Sequence, residues 1–509
     1  MNEPEEAAKQ EVSNQVSPAA SRLTRWEDRL RRWGNQPLSA EGDPSQGAGF
    51  VFTTRARLAL LAAFALLVMM RLPLAWVHGR FLDEEASIFL AYAWHRPAGE
   101  ALWHSFGGYL NLGATASTLL LERLVRWGIW PLELAPYLTM TIALLFQLVP
   151  AALILFGRAR FLANRLAVIA ALLILATSPM TEEVFFNVLH IQFHLALAAA
   201  LVLALEPPTS TAGRLGCWAI LFFAPLCGPA AIVLLPFFAL RCWLEQDRAR
   251  LVQTAVLIAG ASVQLLVFFT PSPVRGGFVD PATLSAILFE RLVAMPVFGA
   301  GLANFLGTMT YSNYGKGGFI WLIDVVAAIA CLGALVIAAL RKRSDAASWL
   351  IVPGLAIAVV SFGGGMLVSR NADWFSVGAG ERYNFLPVVL LGLGLIALTV
   401  REGRKWRVWY NLCLLSLLSG AITFAFPVKE VARGPAWSDE VAKWHRNHSH
   451  VLVVWPSVWA ADLSDNNLPC HQPKIGPVGW TDPSYCESFW LMRVGGADIW
   501  ARQHARRTD

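Results

Sequence analysis

Apolar residues fall in long blocks along most of this chain, and polar residues gather between them. The first block runs from about Leu58 to Val77, ~20 residues, the length a helix needs to cross a bilayer core. Further blocks follow at 131–157, 166–180, 188–205, 215–226, 229–243, 251–270, 319–340, 347–368, 383–400 and 407–426. This pattern predicts an all-α polytopic membrane protein with about eleven transmembrane helices. The pair 215–226 and 229–243 is short and is interrupted by Pro225-Leu226-Cys227-Gly228-Pro229. Between the first two blocks, residues 79–130 contain no clean span. There Ala86–Trp94 and Leu110–Val125 pattern as amphipathic helices lying along a membrane surface.

Charge orients this layout. Arg22, Arg25, Arg29, Arg31, Arg32, Arg55 and Arg57 precede the first span, which predicts a cytoplasmic N-terminus. Alternation then puts Arg158/Arg160/Arg165, Arg214, Arg241/Arg248/Arg250, Arg341/Lys342/Arg343 and Arg401/Arg404/Lys405/Arg407 on the same side, as the positive-inside rule expects. Merging the weak pair into one span would move the downstream clusters outside, so both are kept. The outer segments are then 79–130, Thr181–Glu183, 271–318, 369–382 and the tail from 427 onward. Residues 1–54 read as a disordered basic cytoplasmic arm, 55–426 as the transmembrane domain, and 427–509 as a small extracytoplasmic domain with some strand.

Composition fits the membrane class: 56% of the 509 residues are hydrophobic and only 15% charged. The net charge of +6 is no nucleic-acid signal, because the basic residues lie in short loops and report topology. Cys217, Cys227, Cys242, Cys331 and Cys413 lie in or beside apolar segments and are expected to be buried, inert thiols. Cys470 and Cys486 lie in the polar tail and form a disulfide candidate if it faces an oxidising compartment.

Three constellations could carry chemistry. Asp83-Glu84-Glu85 follows the first span, where desolvation at an apolar interface can raise a carboxyl pKa into a useful range. The competing reading is an N-cap by Asp83 with acids in the first helical turn. Glu183, Asn187, His190 and His194 have spacings of 4, 3 and 4, which would place all four on one helix face. Lining of a polar substrate cavity ranks first for them, inter-helix hydrogen bonding second and metal binding third. Ile191 stands where HExxH would need Glu, so a zincin reading fails. Finally, Glu381-Arg382-Tyr383-Asn384 opens a late span, with Arg370 upstream, at a position where Arg can hold a phosphate. There the bland alternative is Arg382 snorkelling to water or pairing with Glu381.

Taken together these residues resemble the GT-C superfamily of integral-membrane glycosyltransferases, which includes protein O-mannosyltransferases and lipid A aminoarabinose transferases. The resemblance rests on Asp83-Glu84-Glu85 in the first outer loop and on Glu381-Arg382-Tyr383 before Phe385-Leu386-Pro387. It rests also on Phe186 to His194 at the outer end of a span, which resembles a bacterial polysaccharide-assembly branch. It implies transfer of a sugar, with inversion, from a polyprenyl-phosphate donor to a glycan, lipid or protein acceptor at the outer face of a bacterial cytoplasmic membrane. Asp83 would be the base, or a metal ligand in members that use a divalent metal; no other cofactor is implied. The third acid departs from the family pattern and leaves the partner of Asp83 open between Glu84 and Glu85. Arg370, Arg382 and Tyr383 would meet the donor. The competing class is a transporter or flippase of lipid-linked glycans, against which stand the one-sided clustering of acids and the lack of a visible repeat.

Overall fold

A computed structural model describes residues 52–268, 278–316, 318–319, 321–341, 345–365, 375–402, 407–427, 432–457 and 459–464. Within them the protein is an all-α polytopic membrane protein. Seven helices are long and apolar enough to cross a membrane: 132–156, 248–267, 281–298, 321–340, 346–364, 382–401 and 407–425. Shorter apolar helices run at Arg165–Thr177, Ile191–Ala204 and Thr211–Cys227. Arg370, Cys470, Cys486 and most of the N-terminal arm lie outside the described residues.

The first apolar block is not one helix. Helix α1 (Thr54–Met69) stops before Arg71, and α2 (Pro73–His78) restarts at a proline. The cause is Arg71, which is fully buried and donates to the carbonyls of Ala176 and Ser178 (2.7 Å each) and pairs with Glu182 (2.9 Å). The buried guanidinium is tolerated because these partners satisfy it.

The surface stretch that follows contains a π-helical turn, Glu85–Leu90, running into α3 (Ala91–His95). After α4 (Ala98–Leu102) come β1 (Ser105–Phe106), β2 (Tyr109–Leu110) and α5 (Leu112–Arg126). The strands pair Ser105 with Leu110 around Gly107-Gly108, both at positive φ (62° and 76°), as a two-residue hairpin requires.

Helices α6 (Ala135–Phe156), α7 (Arg165–Thr177), α8 (Ile191–Ala204), α9 (Thr211–Cys227), α10 (Leu235–Glu245) and α11 (Arg248–Phe268) form the first half of the bundle. Every residue of α8 is buried, so it forms the bundle's axis. Helices α9 and α11 approach closely because Gly260 has no side chain; a Cβ there would run into the Phe222 carbonyl oxygen. The interrupted pair at Gly228-Pro229 is indeed two helices, α9 and α10, joined by a 3₁₀ turn.

The stretch 271–318, expected as an outer loop, holds a helical hairpin instead. Its first arm joins α12 (Pro281–Phe289), a π-helical turn and α13 (Met295–Phe298). Gly299 (φ 89°) turns the chain into α14 (Ala300–Gly315). Glu290 and Arg291 split the apolar pattern, which is why the stretch reads as a loop in sequence. In the fold Arg291 is buried and donates to Asn384 Oδ1 (2.8 Å) and the carbonyls of Ser376 (2.6 Å) and Ala379 (2.8 Å).

The bundle closes with α15 (Trp321–Leu340), α16 (Ala346–Val360), α17 (Arg382–Glu402) and α18 (Arg407–Ala425). The described part of the tail contains α19 (Trp437–Arg446) and strands β3 (Leu452–Val453) and β4 (Ala460–Ala461). It shares one hydrophobic core with the first surface stretch, in which Trp437, Val441 and Leu452 pack with Phe81, Leu90 and Leu121. Of the five cysteines expected to be buried, Cys217, Cys227 and Cys413 are, whereas Cys242 is half-buried and Cys331 is exposed on α15. An apolar helix presents such a thiol to lipid without penalty.

Candidate functional site

Three loops meet at one end of the bundle: residues 80–85, residues 178–190 and the lead-in to α17. Arg80 and Arg382 make two of the junctions, Arg80 donating to the Phe185 carbonyl and Arg382 pairing with Glu183. Opposite ends of the same helices carry the basic clusters. There Arg250 donates to the Leu205 carbonyl (2.6 Å) and Arg401 to that of Ala338 (2.7 Å). The acids and the basic loops are therefore segregated to the two ends, as the charge pattern predicts.

The backbone around the site is strained. Asp83 (φ 44°), Met180 (φ 50°) and Phe186 (φ 55°) are left-handed without being glycine, and all three lie in the first two loops. Such conformations cost on the order of 1–3 kcal/mol each and persist where surroundings over-determine them. At Asp83 the surroundings come from the tail: its N–H donates to the Trp455 carbonyl (2.7 Å), while Trp455 N–H donates to the Phe81 carbonyl (3.0 Å). Trp455 is itself buried, and its indole N–H donates to the Pro435 carbonyl (2.8 Å).

The three acids of the triplet have different surroundings. Glu85 is fully buried and holds two loops, accepting from Val188 N–H (3.1 Å) through Oε1 and from Leu82 N–H (3.1 Å) through Oε2. Burial pushes its carboxyl up to about 7 despite those bonds. Asp83 and Glu84 are half-buried. The expected cap does not form: the π-helical turn begins after Glu84 with no side-chain cap, and Asp83 contributes only its carbonyl, to Ser87 Oγ (2.9 Å). Enclosure by the protein, then the Glu84 and Glu183 charges, raise the Asp83 carboxyl well above the usual carboxylate range, with Arg382 and Arg80 pulling the other way. Glu84 is also raised by enclosure, against the pull of Arg382.

Glu183, Asn187, His190 and His194 do not share a helix face, because α8 starts only at Ile191. Residues 182–184 form a 3₁₀ turn, and Phe186 at positive φ redirects the chain before the helix. The loop nevertheless brings three of the four together. Asn187 Nδ2 donates to the Glu183 carbonyl (2.8 Å) and Oδ1 accepts from His190 N–H (2.9 Å). His190 Nδ1 lies 2.9 Å from the Glu183 carbonyl and its Nε2 3.9 Å from the Glu183 carboxylate. Burial drives His190 down to about 4, so the ring is neutral at physiological pH. His194 goes elsewhere: Nε2 meets the Val184 carbonyl (3.1 Å) and the ring packs on Phe385 with centroids 4.6 Å apart. Asn187 therefore ties the loop together, and His194 packs into the aromatic core.

Arg382 is the positive group of the site. Its backbone N–H (3.2 Å) and guanidinium both engage the Glu183 carboxylate, and the guanidinium lies over the Tyr383 ring at 5.3 Å. Burial opposes ionisation of Glu183, but the charge and hydrogen bonds of Arg382 outweigh it and hold that carboxyl below its usual range. Tyr383 packs edge-on against Phe193 (6.0 Å). Among the described residues, no three His, Cys, Asp or Glu side chains converge as a metal site.

Two residues escaped the sequence reading. Tyr109, at the tip of the β1–β2 hairpin, places its hydroxyl 3.4 Å from Gln192 Nε2 and within the fields of Tyr383, Arg382 and Glu84. The Gly107-Gly108 pair is a hairpin signal that could have marked it. Trp455, which pins Asp83, carries no local signal. The chain matches no known protein family, no curated protein and no solved structure.

Proposed function

We propose that this protein is a membrane glycosyltransferase that takes a sugar from a polyprenyl-phosphate donor and passes it to a hydroxyl-bearing glycan, lipid or protein acceptor. The observation carrying this reading is the apposition of two half-buried carboxylates, Asp83 and Glu84, to an arginine, Arg382, at one end of a lipid-embedded bundle. Charge asymmetry supports placing that end at the outer face of the cytoplasmic membrane.

In this mechanism Asp83 accepts the proton of the acceptor hydroxyl as the oxygen bonds to the anomeric carbon. The sugar–phosphate C–O bond breaks with inversion, and polyprenyl phosphate leaves with the electron pair. Arg382 directs one guanidinium nitrogen at Glu183, and a guanidinium has further N–H donors that would meet the leaving phosphate. Enclosure by the protein, and then the Glu84 charge, raise the proton affinity of the Asp83 carboxyl for this step. Glu85 is a clasp that sets the loop. A divalent ion, if used, would be held by Asp83 and Glu84 and would offset charge on the phosphate.

One observation favours the second reading, a transporter or flippase. Glu290 and Asp324 are buried within membrane helices, where acids commonly mark transport pathways. The deciding experiment incubates the purified full-length chain with labelled polyprenyl-phosphate sugars and acceptor glycans, and follows release of label from the lipid. Donor consumption that disappears in Asp83→Asn supports the transferase. Vesicle-to-vesicle-lumen movement of intact donor without consumption supports the transporter.

A further inference from the structure

Behind the Glu183–Arg382 pair lies a second apposition of the same two loops, one residue back on each. Glu182 and Glu381 are both buried, at 1% and 3% exposure. Glu182 Oε1 is taken by Arg71 (2.9 Å), while its Oε2 and both oxygens of Glu381 meet no donor among the described residues. Burial of an ionised carboxylate without a donor is strongly unfavourable. Yet the two side chains lie within hydrogen-bonding reach of each other. Two carboxyl groups in such contact are both satisfied by one shared proton.

We propose that Glu381 is a positioning residue: its carboxyl group carries a proton, donates it to Glu182, and so clamps the 181–184 loop to the start of α17, fixing Arg382 against Glu183. Arg71 neutralises the remaining negative charge of the dyad. The titratable groups facing Glu381 are Glu182, Glu183, Arg71 and Arg291. Burial first, then the Glu182 and Glu183 charges, shift its carboxyl well above the ordinary range, outweighing Arg71. The sign follows from that direction. The native state binds this proton more tightly than the unfolded chain does, so its contribution to stability is fully present below the unfolded value and is lost as pH rises from there through the raised native value.

The test uses the full-length protein in lipid vesicles and three forms: wild type, Glu381→Gln and Glu381→Ala. Gln supplies an N–H donor that does not titrate; Ala supplies none. The wild-type minus Glu381→Gln difference spectrum should contain the infrared C=O band of a protonated, hydrogen-bonded carboxyl. That difference band should fade as pH rises. Thermal stability of the wild type should decline more steeply than that of Glu381→Gln as pH rises towards the point where the band fades, and the two profiles should run parallel above it. The KM for the labelled lipid donor should rise on the order of tenfold in Glu381→Ala and stay within about twofold in Glu381→Gln. A difference spectrum without that band, or stability profiles of wild type and Glu381→Gln that run parallel throughout, overturns the proposal. The link to KM rests on the transferase reading, but the band and the stability profile do not. If the wild type consumes no donor, that reading fails and these two measurements still decide the clamp.

Discussion

The two ends of the bundle treat charge in opposite ways. At the basic end every group shown has a structural partner. Arg250 donates to the carbonyls of Val202 (3.2 Å) and Leu205 (2.6 Å) and to Glu245 (2.9 Å), and Arg241 shares that carboxylate (2.6 Å). Arg401 donates to the Ala338 carbonyl and reaches Asp345 at 3.4 Å. These guanidiniums close off the C-terminal carbonyls of α8 and α15, where cations also suit the helix dipole. At the acidic end Asp83 and Glu84 remain half-buried with their side chains uncommitted to any cap, on strained backbone held from the tail. Charges that are fully paired build the fold; enclosed carboxyls that cap no helix and have raised proton affinity are those available for chemistry.

Substitutions can break this contrast. The largest effect on activity is expected from Asp83→Asn, which should lower donor turnover by roughly 10³-fold, within the range of general-base loss. Asn tolerates the left-handed backbone, so the elution profile and thermal stability should stay near wild type. Normal turnover in this variant would remove Asp83 from the mechanism. Next comes Arg382→Lys, which keeps the charge but loses the planar fork. Its KM for the lipid donor should rise on the order of tenfold, measured by initial rates against donor concentration.

A smaller effect sharpens the electrostatic side. The Glu84 charge raises the Asp83 carboxyl, so Glu84→Gln should let Asp83 ionise at lower pH. The acid limb of the rate profile should then move to lower pH, while Arg382→Ala, which removes an opposing positive charge, should move it higher. Equal limbs in all three proteins would show that another group controls the profile. At the basic end the expectation reverses. Arg250→Met should cost about 2 kcal/mol of stability by leaving the Val202 and Leu205 carbonyls without this donor and Glu245 with Arg241 alone, yet leave turnover per folded molecule unchanged. A selective loss of turnover there would erase the distinction between the two ends.

Much of this arrangement is legible in the chain. The many-helix apolar pattern and the separation of the dense basic loops from Asp83-Glu84-Glu85 follow from hydrophobic period and charge. These signals are local, and the membrane amplifies them because unpaired charge in lipid is costly. Where a buried arginine interrupts an apolar run the reading fails. Arg71 breaks the first span, and Arg291 disguises the first arm of the hairpin Pro281–Gly315 as a loop. Each is satisfied by carbonyls or side chains 85 or more residues away, so its partners cannot be inferred from neighbours in sequence.

The site shows the same division. Helical spacing suggested that Glu183, Asn187, His190 and His194 act together, but a 3₁₀ turn and a left-handed Phe186 reassign them. Glu183 and His190 stay with Arg382, Asn187 ties the loop, and His194 joins the aromatic core. By itself the sequence determined that this is a many-helix membrane protein with the Asp83–Glu85 acids set apart from its dense basic loops, because bilayer length and charge exclusion act on each segment independently. Only the tertiary structure decided which acid is a clasp and which stay open, which residue from the distant tail pins Asp83, and that Glu182 meets Glu381. Those outcomes depend on hydrogen-bond geometry between segments 100 to 370 residues apart, and no local pattern encodes such distances.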